Sequence, residues 1–265
     1  MPQTYIIHAL KYAHHPRTAS DNFIGPTDFH ETSMPLDYFV WAITSGKDTF
    51  LVDTGFNAEI AAKRGRTMLR CPSLSLADIG IDAKHIKDVI ITHMHYDHVG
   101  NFDLFPSASF HLQDREMTFA TGRSMVTSFF NAAYNVDDVV GMVRKVYAGR
   151  VIFHNGDAEL ASGLSLHHVG GHTDGLMVVR VWTERGWVVL ASDASHLYAN
   201  MNNVNPFPIV YHAGKMVEGY KRLKELADSS QHIIPGHDPL VLKLYPPSSP
   251  QLRGMAARVD LEPEY

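Results

Sequence analysis

The sequence predicts an α/β fold in which two β-sheets pack face to face and helices cover their outer surfaces. Hairpin signals recur in both halves of the 265-residue chain, helix-period segments lie between them, and no Pro/Gly/Ser-rich linker divides the halves. At about 150 residues per domain, the length allows one large domain or two small ones. The missing linker selects a single domain over residues 1–265. Hydrophobic residues make up 45% and charged residues 19%, an ordinary globular balance that can bury a sizeable core.

Residues 1–35 are rich in breakers, with His14-His15-Pro16 and Gly25-Pro26-Thr27-Asp28, and are expected to form an irregular N-terminal segment. Asp37-Tyr38-Phe39-Val40-Trp41-Ala42-Ile43-Thr44 is apolar and β-prone, a strand over 37–44. Ser45-Gly46-Lys47-Asp48 supplies turn chemistry, and Thr49-Phe50-Leu51-Val52-Asp53 returns as a second strand. Residues 57–69 suit a helix. Asp88-Val89-Ile90-Ile91-Thr92 is a short buried strand that runs directly into a histidine cluster. Residues 113–148 are the least regular stretch, with helices expected at Asp114–Ala120 and Asp137–Tyr147. Strands follow at 151–154, 164–169 and 176–183, and the last turns through Glu184-Arg185-Gly186 into Trp187-Val188-Val189-Leu190. Met216, Tyr220, Leu223 and Ala227 recur at helical spacing and predict an amphipathic helix near 214–228. His232-Ile233-Ile234 is a last short strand leading to Pro235-Gly236-His237, and 241–265 reads as a C-terminal coil.

Lys plus Arg number 23 and Asp plus Glu 28, a net charge of −5, which excludes a broadly basic nucleic-acid binder. No apolar run approaches the roughly 18 residues that span a bilayer, so no membrane partner is expected. The start, Met1-Pro2-Gln3-Thr4-Tyr5, lacks the basic region and apolar core of a signal peptide. The single cysteine, Cys71, excludes an intramolecular disulfide and a thiolate metal cage. A soluble, reduced, cytoplasmic protein is the expectation.

Histidine numbers 17, more than proline at 14. Its spacing carries the chemistry. Thr92-His93-Met94-His95-Tyr96-Asp97-His98 places three imidazoles and a carboxylate at the end of a β-rich apolar run. Side chains at i and i+2 of an extended segment point the same way, so His93 and His95 can hold one ion together. Asp97 and His98, displaced along the loop, face a neighbouring point. Imidazole with carboxylate suits zinc, iron or manganese, and two ions about 3.5–4 Å apart form a hydrolytic pair. One cluster does not complete two metal shells. Three later residues each end a predicted strand: His172 after Val169-Gly170-Gly171, Asp193 after Val188-Val189-Leu190-Ala191-Ser192, and His237 after Ile233-Ile234-Pro235-Gly236. Each alone suits a loop residue or a strand-end cap; together they are the partners the first cluster requires.

With these motifs the chain resembles the metallo-β-lactamase superfamily from about residue 37 to 240. The resemblance implies an αββα sandwich of two mixed sheets flanked by helices. It also implies a dinuclear centre of two divalent ions per chain, zinc first, with iron or manganese accepted by the same donors. His93, His95 and His172 would hold the first ion, Asp97, His98 and His237 the second, and Asp193 would bridge them. Asp53, in Leu51-Val52-Asp53-Thr54-Gly55, matches the family's strand-end aspartate beneath the metals, where it would orient a ligand histidine. As residues alone, it suits a turn aspartate equally well. Asp193 stands where many β-lactamases of the superfamily carry cysteine. His95 and the chain length argue against flavodiiron oxygen reductases, and only 28 residues follow His237 where hydroxyacylglutathione hydrolases add a helical domain.

Length, the Pro35–Ile43 segment and the irregular 113–148 stretch are most similar to the N-acyl-homoserine lactonase group. The implied function is a metal-dependent hydrolase that opens a lactone ring by attack of a hydroxide shared by the two ions, with N-acyl-homoserine lactones among the candidate rings. Asp97 would shuttle a proton to the ring oxygen. The tyrosine that this group carries three residues after the bridging aspartate is replaced by His196, with Tyr198 two positions later. His196 or Tyr198 is therefore the candidate donor to the oxyanion. Met34, Phe129, Phe130, Tyr134 and Phe207 sit in irregular segments, where they suit a substrate pocket or plain cover for the core. A thioesterase or a cyclic amide (β-lactam-type) hydrolase is the alternative on the same ions. A non-catalytic metal-containing binding protein and an iron oxygenase rank lower. The partner in the leading reading is a small lactone or ester, and a homodimer is left open.

Overall fold

The stretch Leu36–Ser45 lacks polar alternation because both of its faces are covered. Phe39, Trp41 and Ile43 enter one core while Tyr38, Val40 and Ala42 enter another, the period of two that separates the faces of a strand. The computed structural model describes residues 2–27, 31–46 and 48–264. Asp28, in the breaker-rich segment, and Lys47, in the turn expected over 45–48, lie outside the described residues.

The first sheet takes β1 (Ile6–His15), β2 (Leu36–Ser45), β3 (Asp48–Val52), β4 (Thr67–Met68), β5 (Asp88–Ile90), β6 (Ser109–Gln113) and β7 (Val151–His154). The second takes β8 (Ala158–Ala161), β9 (Leu164–His168), β10 (Met177–Thr183), β11 (Gly186–Ser192) and β12 (Ile233–Pro235), in the order β12-β11-β10-β9-β8. A last strand, β13 (Ala256–Arg258), returns to the first sheet, giving eight strands in the order β13-β1-β2-β3-β5-β6-β7 with β4 paired to β1. Both sheets are mixed: β3, β5, β6 and β7 run parallel, as do β11 and β12, and the other pairs are antiparallel.

Between the sheets lies a core of Ile7, Phe39, Trp41, Val52 and Ile90 against Leu166, Met177, Val179, Val188 and Ile234. Fully burying such side chains contributes roughly 1.5–3 kcal/mol each, and this layer is what joins the halves. Over the outer face of the first sheet pack α1 (Ala58–Lys63), α2 (Pro72–Asp78), α3 (Tyr96–Val99), α4 (Asp114–Ala120), α5 (Ser128–Asn131) and α6 (Val136–Tyr147). Next come α7 (Tyr198–Asn202), α8 (Ala213–Leu226) and α9 (Val241–Leu244). Tyr220, Leu223 and Leu226 of α8 cover the outer face of the second sheet. The result is the αββα sandwich.

The ends of the chain differ from expectation. Residues 1–35 are not wholly irregular, since β1 pairs with β2 through most of its length. A register shift between Lys11 and Ala13 breaks the alternation that would have marked the strand. Residues 241–265 are not a coil throughout: Val241 of α9 enters the core and β13 pairs with β1. The helix expected over 57–69 stops at Lys63, and Gly65, at φ +65°, turns the chain into β4. The parallel arrangement carries the chain out of β3, β5, β11 and β12 at one edge of the sandwich, where the histidines gather.

Candidate metal centre

β5 ends at Ile90, and the chain continues through Thr92, His93 and His95 into α3, which presents Asp97 and His98. Met94 turns away into the outer core of the first sheet, which fixes the odd-numbered neighbours toward the site. From the second half, His172 follows β9, Asp193 follows β11 and His237 follows β12. His93, His95, His172 and Asp193 bring one donor atom each within 4.8 Å of one another, as do Asp97, His98 and His237. Asp193, His196 and His237 form a third such group.

The donors face one another in a way that protein groups alone do not satisfy. His95 Nδ1 lies 3.0 Å from His93 Nε2 and 2.9 Å from His172 Nε2. His172 Nδ1 lies 2.7 Å from the Ile209 carbonyl oxygen, and His237 Nδ1 lies 3.0 Å from that of Asp37. A carbonyl only accepts, so both Nδ1 atoms carry a proton and both Nε2 atoms are aimed inward at the cluster. His98 Nδ1 is 2.7 Å from Asp53 Oδ2, leaving its buried Nε2 without a hydrogen-bond partner. Burial holds His93 and His95 well below the ordinary histidine range, so these rings are neutral. Against the cost of its own burial, the imidazoles of His196, His237, His98 and His172 hold the Asp193 carboxyl far below its usual range. Around His98 the carboxylates of Asp193, Asp53 and Asp97 overcome burial and call for positive charge. Ring nitrogens converge on carboxylate oxygens around space that calls for positive charge, and divalent cations fit that donor set.

Two buried carboxylates fasten the loop. Asp53, held at φ +61° after β3, accepts from the Thr92 backbone N–H at 2.8 Å and from its hydroxyl at 2.9 Å. It therefore fixes His98 and the start of the loop together. Glu116, fully buried on α4, accepts from the Met94 N–H at 2.8 Å, the Tyr134 hydroxyl at 2.9 Å and the Gly175 N–H at 3.2 Å. It ties the His93–His95 loop to the His172 loop. Nothing in the sequence marks Glu116, because a lone helical glutamate reads as surface.

The second half uses close backbone approach instead. A Cβ on Gly171 would stand 2.7 Å from the Met216 backbone nitrogen, and one on Gly236 would stand 2.7 Å from the Ser192 carbonyl oxygen. Ser192 adopts φ +45°, and its hydroxyl meets that of Thr92 at 2.9 Å across the two halves.

Of the other anticipated residues, Phe129, Phe207 and His196 line a pocket of about 250 Å³ over the cluster. Phe207 is buried and stacks on His196 at 3.8 Å, whereas Phe129 is 66% exposed at the mouth. Tyr134 backs His95 with ring centroids 4.6 Å apart. Phe130 packs on Phe119 and Tyr211, and Met34 on the outer core, so neither lines the pocket. Tyr198 is a correction. Its ring packs among the hydrophobic cores and faces Tyr245, because the segment turns helical at Tyr198 and the extended i, i+2 alignment does not hold. His196 Nε2 lies 3.0 Å from Asp193 Oδ2. Burial pushes this ring down to about 3, so it is neutral where it faces the carboxylate. The sequence reading also missed Arg17, Arg64, Arg66, Tyr38 and Tyr96, which line the pocket.

Fold and donors together define a metal-dependent hydrolase scaffold. A sequence profile described as the metallo-beta-lactamase superfamily matches residues 34–237, and the chain belongs to that superfamily. It is 27% identical over 247 residues to an N-acyl homoserine lactonase of Agrobacterium fabrum, covering 83% of this chain and 87% of that one. To an N-acyl homoserine lactonase of a Bacillus species it is 27% identical over 172 residues, 62% of this chain and 60% of the relative. Among solved structures, a quorum-quenching N-acyl homoserine lactone lactonase superposes with a TM-score of 0.73 at 22% identity, covering 90% of this chain and 94% of that one. A probable metal-dependent hydrolase from Staphylococcus aureus superposes with a TM-score of 0.73 at 16% identity, over 100% of this chain and 97% of the other. Among the described residues, no helix is long and apolar enough to cross a membrane.

Proposed function

We propose that the protein opens lactones, or closely related carboxylic esters, at a two-cation centre on this cluster. The observation that carries the reading is the convergence of ring nitrogens and carboxylate oxygens as two adjoining donor groups on one pocket floor. His93, His95 and His172 would hold one cation, Asp97, His98 and His237 the other, with Asp193 shared. Divalent cations bound there, zinc first with iron or manganese as alternatives, supply a Lewis acid for a carbonyl oxygen and acidify water to react near neutral pH.

The chain's own groups do the rest. Asp97, whose backbone carbonyl accepts from Tyr12 Oη at 2.8 Å, faces the pocket and holds the proton that passes to the departing ring oxygen. His196 and Phe207 form one wall, with His196 Nε2 3.0 Å from Asp193 Oδ2, where it would orient that carboxylate beside the reacting carbonyl. The lactonase relatives support the lactone over other acyl bonds.

The test is a pH-stat assay of metal-loaded protein beside a chelator-stripped control. The panel holds acyl-homoserine, aliphatic and aromatic-fused lactones with one thioester and one β-lactam. Chelator-sensitive acid release from a lactone class is expected. Release from the thioester or β-lactam alone would replace the lactone reading with those substrates.

A further inference from the structure

Three arginines that the hydrolytic reading leaves unused line the same pocket as His95, Asp97, Asp193 and His237. Arg64 and Arg66 belong to one turn. Gly65 sits between them at φ +65°, and Arg66 Nη1 donates to the Arg64 carbonyl at 2.7 Å. The Arg64 guanidinium lies 3.9 Å from the centre of the Tyr96 ring, and Arg66 Nε donates to the Tyr96 hydroxyl at 3.1 Å. Both cations thus converge on one phenol. Arg17 arrives from the chain beyond β1 and lies 5.1 Å from the centre of Phe207, the ring that stacks on His196.

Among the described residues none of the three forms an ion pair. Their hydrogen bonds go to neutral acceptors: main-chain carbonyls, the Asn22 side chain, the His15 ring and the Tyr96 hydroxyl. Among those residues Arg17 Nη1 and Arg66 Nη2 donate to nothing. The lining holds three positive side chains against two carboxylates, Asp97 and Asp193, and both of these turn toward the metal donors. The local field is visible at His15, which burial and then the charges of Arg66 and Arg17 push down to about 4. Asp21, Asp97 and Asp138 act on them only from beyond ion-pair contact, and like charges gathered in a half-buried site are unfavourable until an anion joins them. A guanidinium fork suits an oxyanion in particular, because it can donate two parallel hydrogen bonds.

We propose that the substrate is a small anionic ester or lactone whose carboxylate, phosphate or sulfate group is held by Arg17 and Arg66, beside Arg64, away from the bond that breaks. The bond rests on the hydrolytic reading above; the anion rests on the arginines alone. At about 250 Å³ the pocket lies below the roughly 300–1,000 Å³ of drug-sized sites, which favours a short scaffold over a long acyl chain. Water adds across the acyl C–O bond, the acyl carbon gaining hydroxyl and the ring oxygen a proton. The new acid then ionises, so a singly charged substrate leaves doubly charged with no redox partner.

The test compares a γ-lactone bearing a ring carboxylate with the carboxamide of the same ring, on the zinc-loaded protein. The carboxylate is expected to show at least tenfold higher kcat/KM, mainly through KM, with the advantage shrinking in about 0.5 M salt as screening shortens. Arg17→Gln and Arg66→Gln are each expected to cut that ratio at least threefold, and Arg66→Lys to restore part of it. Equal losses on both substrates would overturn the proposal, because an arginine that only braces the fold affects both alike. Calorimetric binding of glutarate, and of inorganic phosphate and sulfate, to wild type and Arg17→Gln separates the two readings and identifies the preferred oxyanion. Arginine-dependent anion binding with no lactone opened keeps the anion site and ends the lactone reading. Lactone opening without charge preference, with the anions bound equally by both proteins, keeps the lactone reading and ends the anion site.

Discussion

The eight-stranded sheet delivers His93, His95, Asp97 and His98 from one loop and the first turn of α3, whereas the five-stranded sheet delivers His172, Asp193 and His237 from three separate strand ends. The compact set is fastened by side chains: Asp53 takes several hydrogen bonds from it, and Glu116 takes one and ties it to the His172 loop. The dispersed set is fastened by main chain: glycines with no room for a Cβ, a serine at φ +45°, and ring nitrogens donating to carbonyls. A contiguous motif needs braces against its own flexibility. Ligands on strand ends inherit the rigidity of the sheet.

The largest effects should come from removing one donor of each set. His95→Ala and His172→Ala are each expected to abolish hydrolysis and to lower bound metal by at least half in elemental analysis. Activity retained in only one of them would show that the two sets are unequal partners. Asp97→Asn should lower turnover by about 10²–10⁴-fold, the usual worth of a placed proton carrier. Near-normal turnover with metal retained would remove Asp97 from that role.

Smaller effects distinguish the two kinds of brace. Asp53→Asn should weaken metal affinity by about 10–100-fold in competition with a chromophoric chelator. Glu116→Gln leaves a buried N–H or hydroxyl donor unmatched and should destabilise the fold by about 1–3 kcal/mol in denaturant titration. Gly236→Ala should cost a similar 1–3 kcal/mol, about what overpacking costs, since the Ser192 carbonyl must move. If Glu116→Gln changes metal affinity and Gly236→Ala does not, the side-chain brace alone sets the ligand geometry.

Asp138, on α6 and outside both sets, supplies the mildest test. Burial raises its carboxyl to about 6, with Asp137 adding to the rise and Asn135 and Arg64 opposing it. A carboxyl raised on folding binds its proton more tightly in the native state, so stability falls as pH climbs from the unfolded value through about 6. Asp138→Asn should therefore raise Tm relative to wild type at pH near 8 and leave it unchanged near 4, as read by thermal melts at both.

The compact set was legible because its residues are adjacent, and spacing alone aligns them. The dispersed set was legible only as three strand ends awaiting a first cluster. Glu116 was not, since its four partners lie on three segments that only the fold brings together. Arg17, Arg64 and Arg66 went unmarked for the same reason, since they come from two segments that only the fold brings to one pocket. Tyr198 misled because the strand ends at Ser192, the chain turns at Asp193, and α7 begins at Tyr198, so no period of two links the residues after Asp193. The strand β1 was hidden by its bulge, and β13, three residues long, is too short to show any period.

The meeting of the Thr92 and Ser192 hydroxyls marks a seam between residues 100 apart in sequence. A cation gripped from both sides of that seam is a cross-link in the polymer sense, closing loops as long as the stretch from His93 to His237. Loop-closure entropy for about 100 residues corresponds to roughly 4.7 kcal/mol when the link is permanent. A reversible link gains stability only as the logarithm of free metal concentration. The resistance of this chain to unfolding would then be set in part by the metal buffer around it, and a chelator would act as a denaturant as well as an inhibitor.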